Sequence, residues 1–157
     1  MPRRLQRLLV GHGALVFLVG LVAGFPFAML EIHAATVDGS SGPPPVPGDV
    51  RGWRMAHLEG VLNGLTCFAG AAVGPYLHLS ARAYRILFWS LVVTAWGNTV
   101  ASVMGPLFGG RGLVFGGSIA NSVMYLLFLV AVVTIALAMG LIVRGAFTTD
   151  DPGAPSA

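Results

Sequence analysis

The stretch Trp53-Arg54-Met55-Ala56-His57-Leu58-Glu59-Gly60-Val61-Leu62-Asn63-Gly64 sets an imidazole, a carboxylate and an amide close together in an otherwise apolar segment. Polar side chains in a segment of membrane-spanning character are costly to bury and are therefore candidate functional groups. On a helix, His57, Gly60 and Gly64 share one face, at i, i+3 and i+7. That face offers an imidazole beside a surface without side chains, where a flat ligand can approach the backbone. Asn63, six residues on, flanks it. The chemistry that suits this arrangement is ligation of a haem iron by His57. The competing reading is a helix-packing Gly-x-x-x-Gly, Gly60 to Gly64, with a satisfied histidine near the helix start.

The composition says what must position these groups. The chain has 157 residues, 55% of them hydrophobic and only 10% charged, and its mean hydropathy is +0.80. A soluble domain carries about a quarter charged residues, so this is an integral membrane protein. The length suits four spanning helices in one all-α unit. All the cationic side chains are arginine, and the net charge is only +3. Scattered at the ends of apolar segments, these arginines give nucleic-acid binding no support. The single cysteine, Cys67, excludes an internal disulfide, and no Cys-x-x-Cys-His is present, so a haem would be held non-covalently.

The apolar runs predict helices over about 8–32, 53–79, 86–104 and 119–143, within a single transmembrane domain spanning 1–147. Residues 148–157 read as a disordered tail. The first run follows a basic start (Arg3, Arg4, Arg7) and is longer than a signal-peptide core, so it is expected to be retained. His12 lies one turn inside it, as a second ligand, a ligand contact or an interfacial histidine. Gly20-x-x-x-Gly24 and then Pro26 suggest close packing followed by a kink. Residues 33–52, with Ser40 to Pro45 at their middle, form a polar cap. Gly70-x-x-x-Gly74 marks a second small-residue interface, and Cys67 reads as a small buried residue. Asn98 must find a partner within the membrane, most simply as glue between helices, and Ser102 shares its face. The glycine-rich segment 105–118 reads as a re-entrant or surface loop.

Arginine placement then fixes an orientation. With the N-terminus inside, Arg3, Arg4, Arg7, Arg82, Arg85 and Arg144 are cytoplasmic, and Arg51, Arg54 and Arg111 lie opposite. Six against three satisfies the positive-inside rule and gives an antiparallel bundle with both termini cytoplasmic. The three outer arginines share the His57 end of helix two. They suit either haem propionates or lipid headgroups.

Four blocks carry a resemblance: Gly11-His12-Gly13; Gly52-Trp53-x-x-Ala56-His57 with Leu62-Asn63-Gly64; Trp96-Gly97-Asn98; and Arg111-Gly112-Leu113-x-Phe115-Gly116. In order and spacing they resemble the styrene-oxide isomerase family. The resemblance implies a four-helix membrane protein of the bacterial inner membrane, assembled as a homotrimer with haem b between neighbouring subunits. His57 would be the axial ligand of a ferric haem acting as a Lewis acid on the oxygen of a small hydrophobic epoxide. Ring opening and a hydride shift would give a carbonyl compound, a Meinwald rearrangement without net redox change. Asn63 would orient the epoxide, and a monooxygenase upstream would supply it.

One position departs from the family. In gapless register from Trp96, the family's active-site tyrosine falls on Ser102, whose hydroxyl is too short to reach the same point. Tyr125 on helix four is the candidate replacement. The expected site is therefore His57 as metal ligand, Asn63, Ser102 and Tyr125 as catalytic groups, and Gly60, Gly64, Arg54, Arg111 and His12 around the haem. The alternative function is a non-catalytic haem-binding membrane protein, a carrier or a sensor.

Overall fold

Polar residues in the linkers decide where the helices begin. A computed structural model describes residues 1–36 and 46–148. Its four long helices are α1 (Arg3–Thr36), α2 (Val50–Val73), α3 (Ala81–Phe108) and α4 (Ile119–Phe147), with a single 3-10 turn, Gly74–Tyr76, after α2. The Asp49 carboxylate accepts the Gly52 N–H at 2.8 Å. Ser80 accepts from Ala83 N–H at 3.3 Å, and Ser118 from Asn121 N–H at 3.1 Å. Each cap satisfies a donor that the first helical turn leaves free.

Capping moves the second and third helix starts to 50 and 81 instead of 53 and 86. The second helix also stops earlier, because Pro75 enters the 3-10 turn. The third runs past its expected end, through Pro106 to a left-handed Gly109 cap with φ +71°. Pro106 has no N–H to offer the Ser102 carbonyl one turn back, a local loss the helix absorbs near its end. Of the expected tail, Thr148 closes α4 through its N–H to the Arg144 carbonyl, 3.0 Å. Residues 149–157 and the Ser40 to Pro45 part of the cap lie outside the described residues.

Helices α1, α3 and α4 are each long and apolar enough to cross a membrane. Helix α2 does not reach that apolarity, because Arg51, Arg54, His57 and Glu59 crowd its first turns. Its 24 residues still extend about 36 Å, more than a hydrocarbon core of about 30 Å.

The seams repeat every seven residues. On α1 the buried positions include Leu9, Val16, Ala23 and Leu30, with Gly13 and Gly20 between them. On α4 they are Met124, Ala131, Ala138 and Gly145. A strict seven-residue spacing keeps one stripe against its neighbour through a gentle left-handed supercoil. Small residues let backbones meet: a Cβ on Gly20 would lie 2.5 Å from the Val61 nitrogen, and one on Gly13 would lie 3.0 Å from the Gly64 carbonyl oxygen. Between α3 and α4, the Thr94 hydroxyl reaches the Ala131 carbonyl at 3.2 Å and the Thr134 hydroxyl at 2.8 Å.

Contacts gather Met1, Gly74, His78 and Gly145 at one end: Met1 N donates to Gly74 O at 3.1 Å, and His78 N–H to Gly145 O at 2.9 Å. Gly48 and Gly52 pack on Pro106 at the other end.

Candidate functional site

His57 faces α1. Its Nδ1 lies 2.9 Å from the Gly20 carbonyl oxygen. A carbonyl only accepts, so Nδ1 carries the proton and Nε2 keeps a free lone pair. The ring stacks on Phe27, centroids 6.2 Å apart at 19°. It also sits so close to Gly24 that a Cβ there would lie 3.0 Å from Nδ1. The Arg54 guanidinium stands 5.3 Å from the Phe27 ring centre and pairs with Glu31 at 2.7 Å. One Glu31 oxygen leaves several Arg54 donors unused.

Gly60 and Gly64 do share that face, and α1 fills it. Gly60 meets Gly20 backbone to backbone, and Gly64 meets Phe17 and the Gly13 carbonyl. The flat surface suggested by the spacing is thus a helix seam, and it leaves no room for a ligand over these glycines. The partners of His57 (Gly20, Gly24 and Phe27) were legible only as the mirror-image Gly-x-x-x-Gly on α1.

Asn63 turns toward α3. It is 6% exposed. Its amide donates to the Glu59 carbonyl and to the Glu59 carboxylate, 2.8 Å each, and its Oδ1 accepts from Asn98 Nδ2 at 3.4 Å. Both Asn63 donors are therefore committed, while Asn98 keeps one N–H unbonded among the described residues. Glu59 was the group underweighted by sequence reasoning; its signal is a carboxylate four residues before an asparagine within an apolar helix.

Ser102, one turn beyond Asn98, lines a cavity of about 310 Å³ between α2, α3, α4 and the 109–117 loop. It is 5% exposed, and its hydroxyl, like that of Thr99, has no hydrogen-bond partner among the described residues. Arg51, Arg111, Met55, Met124 and Phe128 line the same cavity. At about 100° per residue, Met55 is rotated roughly 160° around α2 from His57, so within one chain Arg111 and Ser102 open on the side away from the imidazole.

Two further expected site residues lie elsewhere. Tyr125 packs edge-on against Phe115, centroids 5.9 Å apart, and is not among the cavity residues. It does not stand in for a phenol at position 102. His12 accepts the Trp96 indole N–H at 3.2 Å and meets Phe88 edge-on at 6.1 Å. It is twelve residues from Gly24, about 18 Å along α1, so it cannot be a second ligand at the His57 level.

Against known proteins, the profile of the styrene oxide isomerase family matches residues 5–147. The chain belongs to that family. Among curated styrene oxide isomerase relatives, the styrene-oxide isomerase of Pseudomonas fluorescens is 32% identical over 124 residues, which cover 71% of this chain and 66% of that protein. The chain thus spans just under two thirds of that relative. Hydroxylaminobenzene mutase HabB of Ectopseudomonas oleovorans is 27% identical over 139 residues, 86% of this chain and 74% of that protein. Membership of the styrene oxide isomerase family accords with an all-helical membrane protein and with isomerase or mutase chemistry.

Proposed function

We propose that this protein is a membrane isomerase that converts a small aryl epoxide into a carbonyl compound, with haem b held at His57. The observation that carries the reading is the His57 ring itself, pinned through Nδ1 to a backbone carbonyl, with Nε2 unbonded among the described residues. Metal-ligating histidines are commonly oriented in this way, and the carbonyl raises the basicity of the free nitrogen. Among the described residues no three His, Cys, Asp or Glu side chains gather as a metal site. A lone imidazole in an apolar setting suits a metal that arrives with its own equatorial donors, as in a porphyrin. Ferric haem supplies, when bound, a Lewis acid that polarises the epoxide oxygen.

The chain's residues do the rest. Gly20 fixes the tautomer and plane of His57. Phe27 and the apolar helix faces exclude water, which would otherwise capture an opened epoxide as a diol. Arg54, with donors to spare beyond Glu31, is placed for a propionate. On the opposite side of α2, Glu59 holds Asn63, which in turn holds Asn98; the unbonded Asn98 N–H is the donor in this set able to orient a substrate oxygen. We place the chain in the bacterial inner membrane as an antiparallel four-helix bundle with cytoplasmic termini. Assembly as a homotrimer with haem between neighbours would let His57 of one copy face the polar set of the next, with an upstream monooxygenase supplying the epoxide.

The second reading, a mutase acting on an N-hydroxylated arylamine, is favoured by the similarity to HabB, which covers 86% of this chain. Both relatives are named for rearrangements within one molecule. The test is an optical spectrum of the protein purified in mild detergent after expression with haem, before and after dithionite, followed by turnover of styrene oxide and hydroxylaminobenzene in parallel. The expected result is a Soret band that shifts on reduction, and loss of that band together with turnover in His57→Ala. A colourless wild type, or a His57→Ala protein with the full spectrum, overturns the haem assignment.

A further inference from the structure

A groove opens between α3 and α4 at the opposite end of the bundle from Arg51 and Arg111. Its volume is about 470 Å³, and Arg82, Arg85, Ile86, Trp89, Val93 and Thr134 line it. The five α3 residues fall at i, i+3, i+4, i+7 and i+11, a stripe along one face. Arg82 and Arg85 are exposed, and neither has a hydrogen-bond or ion-pair partner among the described residues. Three residues apart on a helix, their side chains start about 5–6 Å from each other, so both can fork onto one anion. No carboxylate competes for them there: the acidic side chains among the described residues are Glu31 late in α1, Asp49 before α2 and Glu59 in its first half. The Thr94 and Thr134 hydroxyls, 2.8 Å apart, fix the register of α3 against α4. Arg85 lies about 14 Å from Thr94, and Arg144 about 15 Å from Thr134, toward the same end. A third arginine thus stands at the depth of the first two. Below them the groove is apolar. Trp89 is 59% exposed, with its indole N–H unpartnered among the described residues. It lies about 6 Å inward from Arg85, a placement that suits the ester level of a bilayer. Thr134 has no donor to spare, because its hydroxyl bonds the Val130 and Ala131 carbonyls. From Arg85 to Val93 the groove runs about 12 Å, within half of a hydrocarbon core of about 30 Å.

We propose that this groove holds one anionic phospholipid, its phosphate between Arg82 and Arg85 and one acyl chain running past Trp89 to Val93 and Thr134. Basic pockets between spanning helices bind such headgroups, and paired guanidiniums match phosphate geometry. The Trp89 N–H donates to an ester carbonyl, and Ile86 and Val93 flank the chain. A zwitterionic lipid brings its own ammonium back against the three arginines and fits less well. The inference does not rest on the isomerase reading, because His57 packs on α1 and the groove belongs to α3 and α4.

The test is quenching of tryptophan fluorescence by lipids brominated on the acyl chain, with the full chain reconstituted in phosphatidylcholine vesicles. Brominated phosphatidylglycerol or brominated phosphatidylcholine replaces the same small fraction of the host lipid. The Trp89 share of the signal is the difference between wild type and Trp89→Phe. Phosphatidylglycerol is expected to quench Trp89 with about tenfold higher apparent affinity, and Arg82→Gln combined with Arg85→Gln should erase that preference. Both arginines are exposed, so the double variant should keep its helix content by circular dichroism. Equal quenching by the two lipids in the wild type overturns the proposal and leaves these arginines as topology determinants alone. A preference that survives in the folded double variant overturns it as well. So does a preference seen only after removal of 150–157, which would assign the arginines to Asp150 and Asp151. A chain that shows the preference but binds no haem would refute the isomerase reading and leave this lipid site standing.

Discussion

The orientation of His57 depends on the absence of a side chain at Gly24. A Cβ there would lie 3.0 Å from Nδ1 and 3.3 Å from Cε1, so Gly24→Ala must turn the imidazole and lengthen its bond to the Gly20 carbonyl. Such supporting contacts commonly contribute about 10- to 100-fold to metal affinity. Gly24→Ala is expected to lower haem affinity by about tenfold, with the helix intact, because alanine favours helix over glycine. Haem titration followed at the Soret band measures it; an unchanged affinity would show that ring orientation is not limiting. The histidine was legible from residue types, because an ionisable group in an apolar helix is conspicuous. The direction in which each polar group points was not. His57 and Asn63 are six residues apart on one helix, and only the placement of α1 and α3 sends one to the Gly20 carbonyl and the other to Asn98. His12 was ambiguous for the same reason: its partner, Trp96, is 84 residues away.

At the scale of the element, the glycines separate into those that hold a seam and those that do not. A Cβ on Gly60 would collide with the Gly20 backbone, while one on Gly11 meets nothing within 4 Å. Gly60→Ala must push α1 and α2 apart and is expected to destabilise by about 1–3 kcal/mol. Gly11→Ala should be neutral or stabilising by up to about 1 kcal/mol. Thermal unfolding of both variants in detergent, followed by circular dichroism, checks the pair; equal midpoints would mean the seam does not limit stability. The four helices were readable as apolar runs, but their seams were not. A lipid-facing side is as apolar as a core-facing side, so the usual alternation that reveals a buried stripe is erased. Small residues are the remaining marker, and Gly60-x-x-x-Gly64 has the same appearance whether it receives a ligand or a helix. Boundaries drifted by three to five residues at the starts of α2 and α3 because Asp49 and Ser80 cap from within segments that look like loop.

For the whole molecule, the arrangement of ends and charges leads to a topology. Hydrogen bonds tie Met1 to Gly74 and His78 to Gly145, which collects Arg3, Arg4, Arg7, Arg82, Arg85 and Arg144 near one end. Arg51, Arg54 and Arg111 belong to the end where Gly52 packs on Pro106. In the topology proposed above, the six-to-three bias would put the first end in the cytoplasm. Helix α2, too polar to pass as a span by its own composition, has its glycines closed against α1, and in that topology would enter as the partner of α1 with its polar first turns near the outer surface. Cysteine labelling tests this directly in a Cys67→Ala background, where the one native thiol is removed. Val114→Cys, on a side chain 73% exposed, should react with a membrane-impermeant maleimide in intact spheroplasts. Arg82→Cys, in the first turn of α3, should react only after the membrane is opened. The reverse pattern would overturn this topology, either by inversion of the whole molecule or by failure of α2 to span. Labelling of both sites in intact spheroplasts would mean that α3, which lies between them, does not cross.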